Sequence, residues 1–306
     1  MRTLIIGAGA VGGYFGARLT AAGRDVTFLV RASRAEKLRR DGLHVTSLED
    51  SFTVQPKLLL AGEITAPFEL ILVSTKAYSL AAAMEDFAPA VGPQTTILPM
   101  LNGMAHLDVL MARFGEGRVI GGSTRIVADV DAEGVIHSLE ALHDIRFGER
   151  DKSVTPRVQA IEAHLSNAGF DAILSPDILA FMWQKWTFLA ALGAITCLLR
   201  GSIGQVVEAP GGPDLIRAIL AETVAISAAN GYPTPASFLE NTTSRLLKPG
   251  STLTASMYRD LMRGAPVEAD HILGDMIARG HAHGVDSPYL RAAYAQLSIY
   301  SAGLPK

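Results

Sequence analysis

Three glycines near the amino terminus have the spacing of a phosphate-binding loop. The apolar run Thr3–Ile6 is followed by Gly7-Ala8-Gly9-Ala10-Val11-Gly12. In the G-x-G-x-x-G pattern the first glycine permits a tight turn, the second lets the backbone approach a pyrophosphate, and the third lets the following helix pack on the strand. Free N–H groups at the start of that helix favour a negative charge. The pattern therefore predicts a dinucleotide site, and a tight turn that binds nothing is the alternative.

The end of the next predicted strand indicates which dinucleotide binds. Enzymes that use NAD or FAD usually place an acidic residue there, about 20 residues after the glycines, to bond the ribose 2′-hydroxyl. The predicted strand 25–30 is instead followed by Arg31, and Arg34 comes three residues later. A guanidinium pairs with a 2′-phosphate, which a carboxylate would repel. We therefore expect NADP(H), unless both arginines are ordinary charges at the start of the next helix.

Two charged residues in the second half of the chain could do acid–base chemistry. Lys185 lies in the aromatic run 181–188, where loss of hydration would lower its pKa and make it a proton donor at neutral pH. A lysine that extends to the surface from a helix end fits the pattern equally well. Glu268 lies just inside a predicted helix start, where favourable pairing with the helix dipole is the simpler explanation.

Alternating strands and helices position these residues. The segment 68–74 is a near-continuous apolar run, typical of a strand buried on both faces, and further strands are predicted at 95–98 and from 119. This alternation predicts an α/β fold with a mostly parallel, doubly wound sheet. In such sheets ligands bind beyond the carboxyl ends of the strands, and Lys76 and Asn102 follow two of those ends.

The pattern changes in the middle of the chain. Strands and turns are predicted from 123 to 149, then a helix at 157–167 and a short strand at 170–174. Pro176 is predicted to open a long helix, and the rest of the chain has a helical period. We therefore place a nucleotide-binding domain at 1–175 and an all-helical domain at 176–306.

Composition excludes several classes of protein. The 306 residues are 49% hydrophobic and 19% charged with a net charge of −3, so a nucleic-acid partner is not expected. The single cysteine, Cys197, excludes an intrachain disulfide and is typical of a small buried residue in a cytoplasmic protein. The stretch 178–199 is long enough to span a membrane but contains Lys185, so a buried core helix is expected. No metal site is predicted.

Taken together, these motifs resemble the ketopantoate reductase (2-dehydropantoate 2-reductase) family over the whole chain. The motifs are GAGAVGG from Gly7, the arginine at Arg31, STKAY around Lys76, LNGM around Asn102, the W-x-K of Trp183 and Lys185, and SMYRDLMRGAPVEADHILGDM from Ser256 to Met276. The resemblance implies an N-terminal Rossmann domain, an all-helical C-terminal domain, and a site in the cleft between them.

The resemblance also implies the chemistry and the role of each residue. NADPH would deliver hydride to the ketone of a 2-oxo acid, and Lys185 would protonate the carbonyl oxygen as general acid. Glu268 would help bind the substrate and support that lysine. Asn102 and Lys76 would line the nicotinamide side, and Ser256 would hold polar groups of the substrate. The leading reaction is reduction of 2-dehydropantoate to pantoate, in pantothenate biosynthesis, by a cytoplasmic enzyme; a homodimer is compatible with the sequence.

One helix face departs from the family pattern. Members of the family carry asparagines one and two turns after the lysine, where this chain has Leu189 and Gly193. Spacings of four and eight residues keep both on the Lys185 face. The face is therefore less polar, and it better suits a 2-oxo acid with an apolar tail. The glycine is also expected to leave room for a larger tail.

Three other functions remain open on the sequence. The first is an NADPH reductase for another 2-oxo acid or for an imine. The second is a 3-hydroxy-acid dehydrogenase, although the 263–276 segment with Glu268 favours the ketopantoate type. The third is an NADP(H)-binding sensor that does not catalyse a reaction, against which the presence of both Lys185 and Glu268 argues.

Overall fold

The computed structural model describes residues 1–304, and its internal contacts divide the chain into two units. Unit 1 comprises Met1–Leu101 and His106–Leu179, and unit 2 comprises Asn102–Ala105 and the chain from Ala180 onwards. The division falls four residues after the expected boundary at 175. The short segment Asn102–Ala105 belongs to unit 2, although it lies inside the nucleotide-binding domain predicted at 1–175.

The strands lie between residues 3 and 174. They are β1 (Thr3–Ile6), β2 (Val26–Leu29), β3 (Leu43–Thr46), β4 (Ser51–Val54), β5 (Lys57–Leu59), β6 (Leu70–Val73), β7 (Thr96–Pro99), β8 (Gly121–Arg125), β9 (Ala128–Val130), β10 (Ile136–Ser138), β11 (Asp144–Gly148) and β12 (Asp171–Leu174). The helices in this part are α1 (Ala10–Ala21), α2 (Ala32–Asp41), α3 (Leu80–Phe87), α4 (Ala105–Phe114) and α5 (Pro156–Leu165).

A five-stranded parallel sheet with the order β5-β2-β1-β6-β7 forms the centre of unit 1. Strands β1, β6 and β7 are buried throughout, as their near-continuous apolar sequences predict. Ile6 is in register with Leu29 on one side and with Val73 on the other. The strand order reverses at β1, so the loop after β1 lies at the switch point where α/β sheets bind ligands. The predicted parallel, doubly wound α/β architecture is confirmed.

The remaining strands form two smaller sheets, with the orders β4-β3-β10-β9 and β12-β11-β8. The segment at 119–120 was predicted to continue the parallel sheet, but only a single bridge joins Val119 to Ile97. Strand β8 begins at Gly121 and pairs antiparallel with β11. Its sequence GGSTR lacks the apolar run of a strand buried in a parallel sheet, which is the physical reason for the difference.

Unit 2 is helical. Its elements are α6 (Ile178–Leu199, whose first two residues belong to unit 1), α7 (Ile203–Glu208), α8 (Gly212–Ala229), α9 (Ala236–Leu246), α10 (Ser256–Met262), a π-helical turn (Asp270–Gly274), α11 (Asp275–Ala282) and α12 (Pro288–Ala302). Pro176 does not open α6, since residues 176–177 form a turn and the helix begins at Ile178. The buried carboxylate of Glu222 caps the start of α12 by accepting the N–H groups of Tyr289 and Leu290, both at 2.9 Å.

Helix α6 is long and apolar enough to cross a membrane, but most of its apolar window is buried inside the protein. Trp183, Trp186 and Cys197 are all at most 2% exposed. Burial raises the pKa of the Cys197 thiol to about 12, so the thiol stays protonated at neutral pH. These observations support the expected core helix and a cysteine that serves as a small apolar residue.

Candidate functional site

The glycine loop has the conformation that its spacing predicts. Gly7 follows β1 with a φ of +92°, a left-handed conformation that favours glycine. A Cβ on Gly12 would lie 1.9 Å from Ser74 Oγ and 2.5 Å from the Gly7 carbonyl oxygen. Only glycine therefore lets α1 pack this closely against the ends of β1 and β6.

The residues of this loop fit a dinucleotide. Gly9 is the exposed N-cap of α1, and in the described part of the chain no side chain caps this helix. A Cβ on Gly9 would meet no described protein atom within 4 Å, so packing does not explain the glycine. Close approach of a pyrophosphate does explain it, because the phosphate needs the backbone N–H groups of Ala10 and Val11 within reach.

Two arginines lie beside this loop. Arg31 is exposed and forms the N-cap of α2, which begins at Ala32. Arg34 is partly buried, and its Nη2 donates to the carbonyl oxygens of Ala8 at 3.3 Å and Gly134 at 3.2 Å. Burial lowers the pKa of the Arg34 guanidinium. The structure thus places a second cation on the backbone of the glycine loop, a position that the sequence alone could not give.

The carboxyl end of β6 supplies the next group. Ser74 Oγ donates to the Ile6 carbonyl oxygen at 2.9 Å and so ties this end of β6 to the glycine loop. Lys76 is exposed and forms the N-cap of a short 3-10 turn at Ala77–Ser79. The predicted position of Lys76 beyond the end of a parallel strand is observed.

The turn after β7 carries Asn102, which is partly buried. Gly103 follows with a φ of +82°, and the segment Asn102–Ala105 belongs to unit 2. A Cβ on Gly103 would lie 3.0 Å from the main-chain oxygen of His271. Asn102 therefore belongs, by its contacts, with the unit that carries Lys185 and Glu268.

Lys185 lies in the amino-terminal half of α6 and is partly buried. It is flanked in sequence by buried tryptophans whose rings lie 4.9 Å apart, and Trp183 also stacks on Tyr232 at 5.4 Å. The indole N–H of Trp186 donates to the Ile272 carbonyl oxygen at 3.0 Å. This bond joins the Lys185 region of α6 to the π-helical turn.

Glu268 precedes this π-helical turn by two residues. It was expected just inside a helix, but the helical segment begins at Ala269 and Glu268 stands immediately before it. The Glu268 carbonyl oxygen accepts the N–H of Ile272 at 3.0 Å, so the residue occupies the capping position. Its side chain is partly buried. Trp186 and Glu268 thus share one partner, Ile272, which brings the Glu268 and Lys185 regions together.

The face of α6 beyond Lys185 is apolar, as the sequence predicts. Leu189 is partly buried and Gly193 is buried. The prediction that Gly193 leaves room for a larger substrate tail is wrong, because a Cβ there would lie 2.8 Å from Met257 Cε. Met257 lies on α10, directly after the exposed Ser256. The methionine methyl group therefore fills space that the glycine was expected to leave open.

Three further residues, Trp186, Met257 and His271, lie beside predicted site residues although none of them is itself a predicted site residue. His271 had one usable signal, since it follows Glu268 by three residues and a helix would place both on one side. Met257 had none, because only the tertiary packing of α10 on α6 brings it to Gly193.

Comparisons with known proteins identify the family of the chain. The family model described as ketopantoate reductase PanE/ApbA matches residues 3–152, and that of its C-terminal part matches 177–301. "Uncharacterized oxidoreductase YkpB" of Bacillus subtilis is 34% identical over 302 residues, covering 99% of both chains. The 2-dehydropantoate 2-reductase of Mesorhizobium japonicum is 26% identical over 319 residues, covering 96% of both.

Solved structures show the same likeness. The crystal structure of a 2-dehydropantoate 2-reductase from Geobacter metallireducens is 28% identical, with a TM-score of 0.88, and the match covers 98% of this chain and 99% of that one. Both domains of one family are thus matched in order along the chain. The chain belongs to the ketopantoate reductase family, and it is an NADP-dependent oxidoreductase.

Proposed function

We propose that the protein reduces a 2-oxo acid to a 2-hydroxy acid with NADPH, with Lys185 as the general acid and 2-dehydropantoate as the leading substrate. The observation that carries the proposal is the convergence on the π-helical turn. Trp186, next to Lys185, donates to Ile272, which is also hydrogen-bonded to Glu268, and His271 packs on the Asn102 turn. These contacts link the segments that carry Lys185, Glu268 and Asn102, and this linkage supports the proposal.

Each residue has a physical task in this reaction. The N–H groups at the start of α1 bind the pyrophosphate, and Arg31 pairs with the 2′-phosphate. NADPH, when bound, supplies the hydride. Negative charge then develops on the substrate oxygen, and the Lys185 ammonium supplies the proton there. Glu268 binds substrate and holds the ammonium, while Lys76 and Asn102 line the nicotinamide side.

The apolar face of α6 affects which substrate the site favours. Ketopantoate has a terminal hydroxyl that needs a hydrogen-bond partner, and neither Leu189, Gly193 nor the Met257 methyl group can provide one. Ser256, exposed at the start of α10, directly precedes Met257 and could offer the substrate a hydroxyl group. A 2-oxo acid with a branched apolar tail is therefore the second candidate substrate, and the apolar face favours it.

The cellular setting follows from the substrate. Reduction of 2-dehydropantoate would place the enzyme in pantothenate biosynthesis, and its use of NADPH suits the cytoplasm. Another 2-oxo acid would remove the pantothenate assignment and leave the cofactor assignment intact. A homodimer is compatible with this proposal, and analytical ultracentrifugation of the purified protein measures it.

The test is NADPH oxidation by the purified protein with a panel of 2-oxo acids, comprising ketopantoate, 2-oxoisovalerate and pyruvate, and with a cyclic imine. We expect turnover with at least one 2-oxo acid and none with the imine. NADPH binding without turnover of any compound would instead identify a sensor, and turnover of the imine alone would identify a different reductase.

A further inference from the structure

The π-helical turn Asp270–Gly274 is fixed at several points within unit 2. Its Ile272 carbonyl oxygen accepts the Trp186 indole N–H at 3.0 Å. The Tyr294 hydroxyl donates to the Asp270 carboxylate at 2.7 Å. A Cβ on Gly274 would lie 3.2 Å from the Tyr294 ring, so α12 packs closely against this turn. A π-helical turn of this kind departs from the ordinary helix ladder and persists where neighbouring groups hold it.

His271 projects from this turn onto the Asn102–Ala105 segment. A Cβ on Gly103 would lie 3.2 Å from His271 Cδ2 and 3.5 Å from Nε2, besides 3.0 Å from its main-chain oxygen. Gly103 also has a φ of +82°. Glycine at this position therefore serves two needs, because it permits the backbone turn and lets the imidazole lie against it.

The His271 ring is also hydrogen-bonded to the main chain of Asn102. Burial has the largest effect and lowers the pKa of His271, while the charges of Glu268 and Asp275 and this hydrogen bond raise it and Arg279 lowers it. A contact that raises the pKa of a base favours its protonated form, so the ring N–H donates and the Asn102 carbonyl oxygen accepts. A neutral imidazole at pH 7 has one N–H with which to make this bond.

We propose that His271 is a positioning residue, which holds the Asn102 main chain so that the Asn102 side chain faces the nicotinamide at the correct angle. The proposal rests on the proposed function, in which Asn102 lines the nicotinamide side. The Asn102 side chain projects from this backbone, and a hydrogen bond to the Asn102 carbonyl oxygen restrains that backbone. Small displacements of groups around a reacting centre lower rates strongly.

The experiment compares His271→Phe, which keeps a ring against Gly103 and removes the donor, with His271→Gln, which keeps a donor. His281→Phe is the matched control, since His281 is an exposed histidine on α11 of the same unit. We measure kcat and KM with the best 2-oxo acid, the Kd for NADPH, and the primary isotope effect with NADPH deuterated at the transferred position. A further readout uses cofactor-free protein labelled with ¹⁵N-asparagine, whose four asparagines are Asn102, Asn167, Asn230 and Asn241.

The expected result separates positioning from folding. His271→Phe lowers kcat about 10-fold, raises the isotope effect, and leaves the Kd for NADPH within about 2-fold. The NMR signals of Asn102 shift, those of the other three asparagines do not, and His271→Gln restores most of the activity.

Two outcomes overturn the proposal. One is a His271→Phe enzyme with the wild-type kcat and unshifted Asn102 signals. The other is an equal loss in both His271 variants with all four asparagine signals displaced, which would show a structural role only. If the wild type reduces no 2-oxo acid, the proposed function fails instead, and the asparagine signals still test whether His271 holds Asn102.

Discussion

Preference for NADPH over NADH should depend on Arg31. The structure allows this dependence to be separated from a change in the glycine loop that would weaken the binding of both cofactors. Arg31 is exposed at the N-cap of α2 and lies directly after the end of β2. Replacing it with alanine removes the proposed charged partner of the 2′-phosphate and no described contact of the glycine loop. A hydrogen bond to a charged group contributes about 1.5–3 kcal/mol, which corresponds to about a 10- to 150-fold weaker Kd for NADPH. The Kd for NADH should stay unchanged.

Arg34 provides the contrasting variant. Its Nη2 donates to the carbonyl oxygens of Ala8 and Gly134 and so holds the glycine loop, where we propose that the pyrophosphate binds. Arg34→Met keeps the aliphatic stem and removes both bonds, so binding of NADPH and NADH should weaken together. Arg39→Ala, at an exposed position on the same helix, is the control and should change neither.

Fluorescence titration of both cofactors against the wild type and the three variants measures all of these constants. Equal wild-type affinity for NADPH and NADH, or an Arg31→Ala variant that keeps its preference, would refute the assignment of Arg31 to the 2′-phosphate. Loss of NADPH affinity alone in Arg34→Met would move the phosphate contact to Arg34.

The remaining predictions concern catalysis, substrate choice and stability. Lys185→Ala should lower kcat by about 100-fold or more, the usual contribution of a general acid, with the Kd for NADPH unchanged; a wild-type rate would leave Lys185 as an ordinary surface charge. Wild type should reduce 2-oxoisovalerate at least as well as ketopantoate. The double variant Leu189→Asn, Gly193→Asn should shift the kcat/KM ratio about 5- to 150-fold toward ketopantoate. For this shift Met257 Cε must move aside, because it lies 2.8 Å from where the new Cβ at position 193 would stand. A strong wild-type preference for ketopantoate would contradict the argument from this face. Burial lowers the pKa of His164 to about 4. Between about pH 6.5 and pH 4 the unfolded chain therefore binds more protons than the folded protein. The free energy of unfolding should fall by about 2–3 kcal/mol as the pH drops through this window. Urea unfolding at pH 7 and pH 4.5 measures that loss, and His164→Gln, which can keep the bond to Thr3 Oγ1 now made at 2.8 Å, should reduce it; an equal loss in the variant would assign the acid sensitivity to other groups.

Local sequence signals were enough to predict the parallel sheet and the glycine loop. A strand buried on both faces must be apolar along its whole length, and β1 and β6 show this directly. Gly7 has a positive φ and Gly12 leaves no room for a Cβ. Because both features require glycine, the residue type alone predicts them. The character of α6 could be predicted for the same reason, since a lysine and a run of aromatics on one long apolar segment indicate a buried helix.

Contacts between residues distant in sequence required the tertiary structure. Four such contacts join elements more than 25 residues apart in sequence. They are the grouping of Asn102 with the unit of Lys185, the hydrogen bonds of Arg34 to Ala8 and of Trp186 to Ile272, and the Met257 methyl group beside Gly193. No periodicity carries such information, because side-chain spacing describes one element at a time. Strand β8 and the exact start of the Glu268 helix were predicted wrongly for a related reason, since pairing partners and caps decide where an element belongs and where it begins. The sequence by itself therefore determined the family, the cofactor loop and the candidate residues, whereas only the tertiary structure decided which of those residues are held together and what fills the space around them.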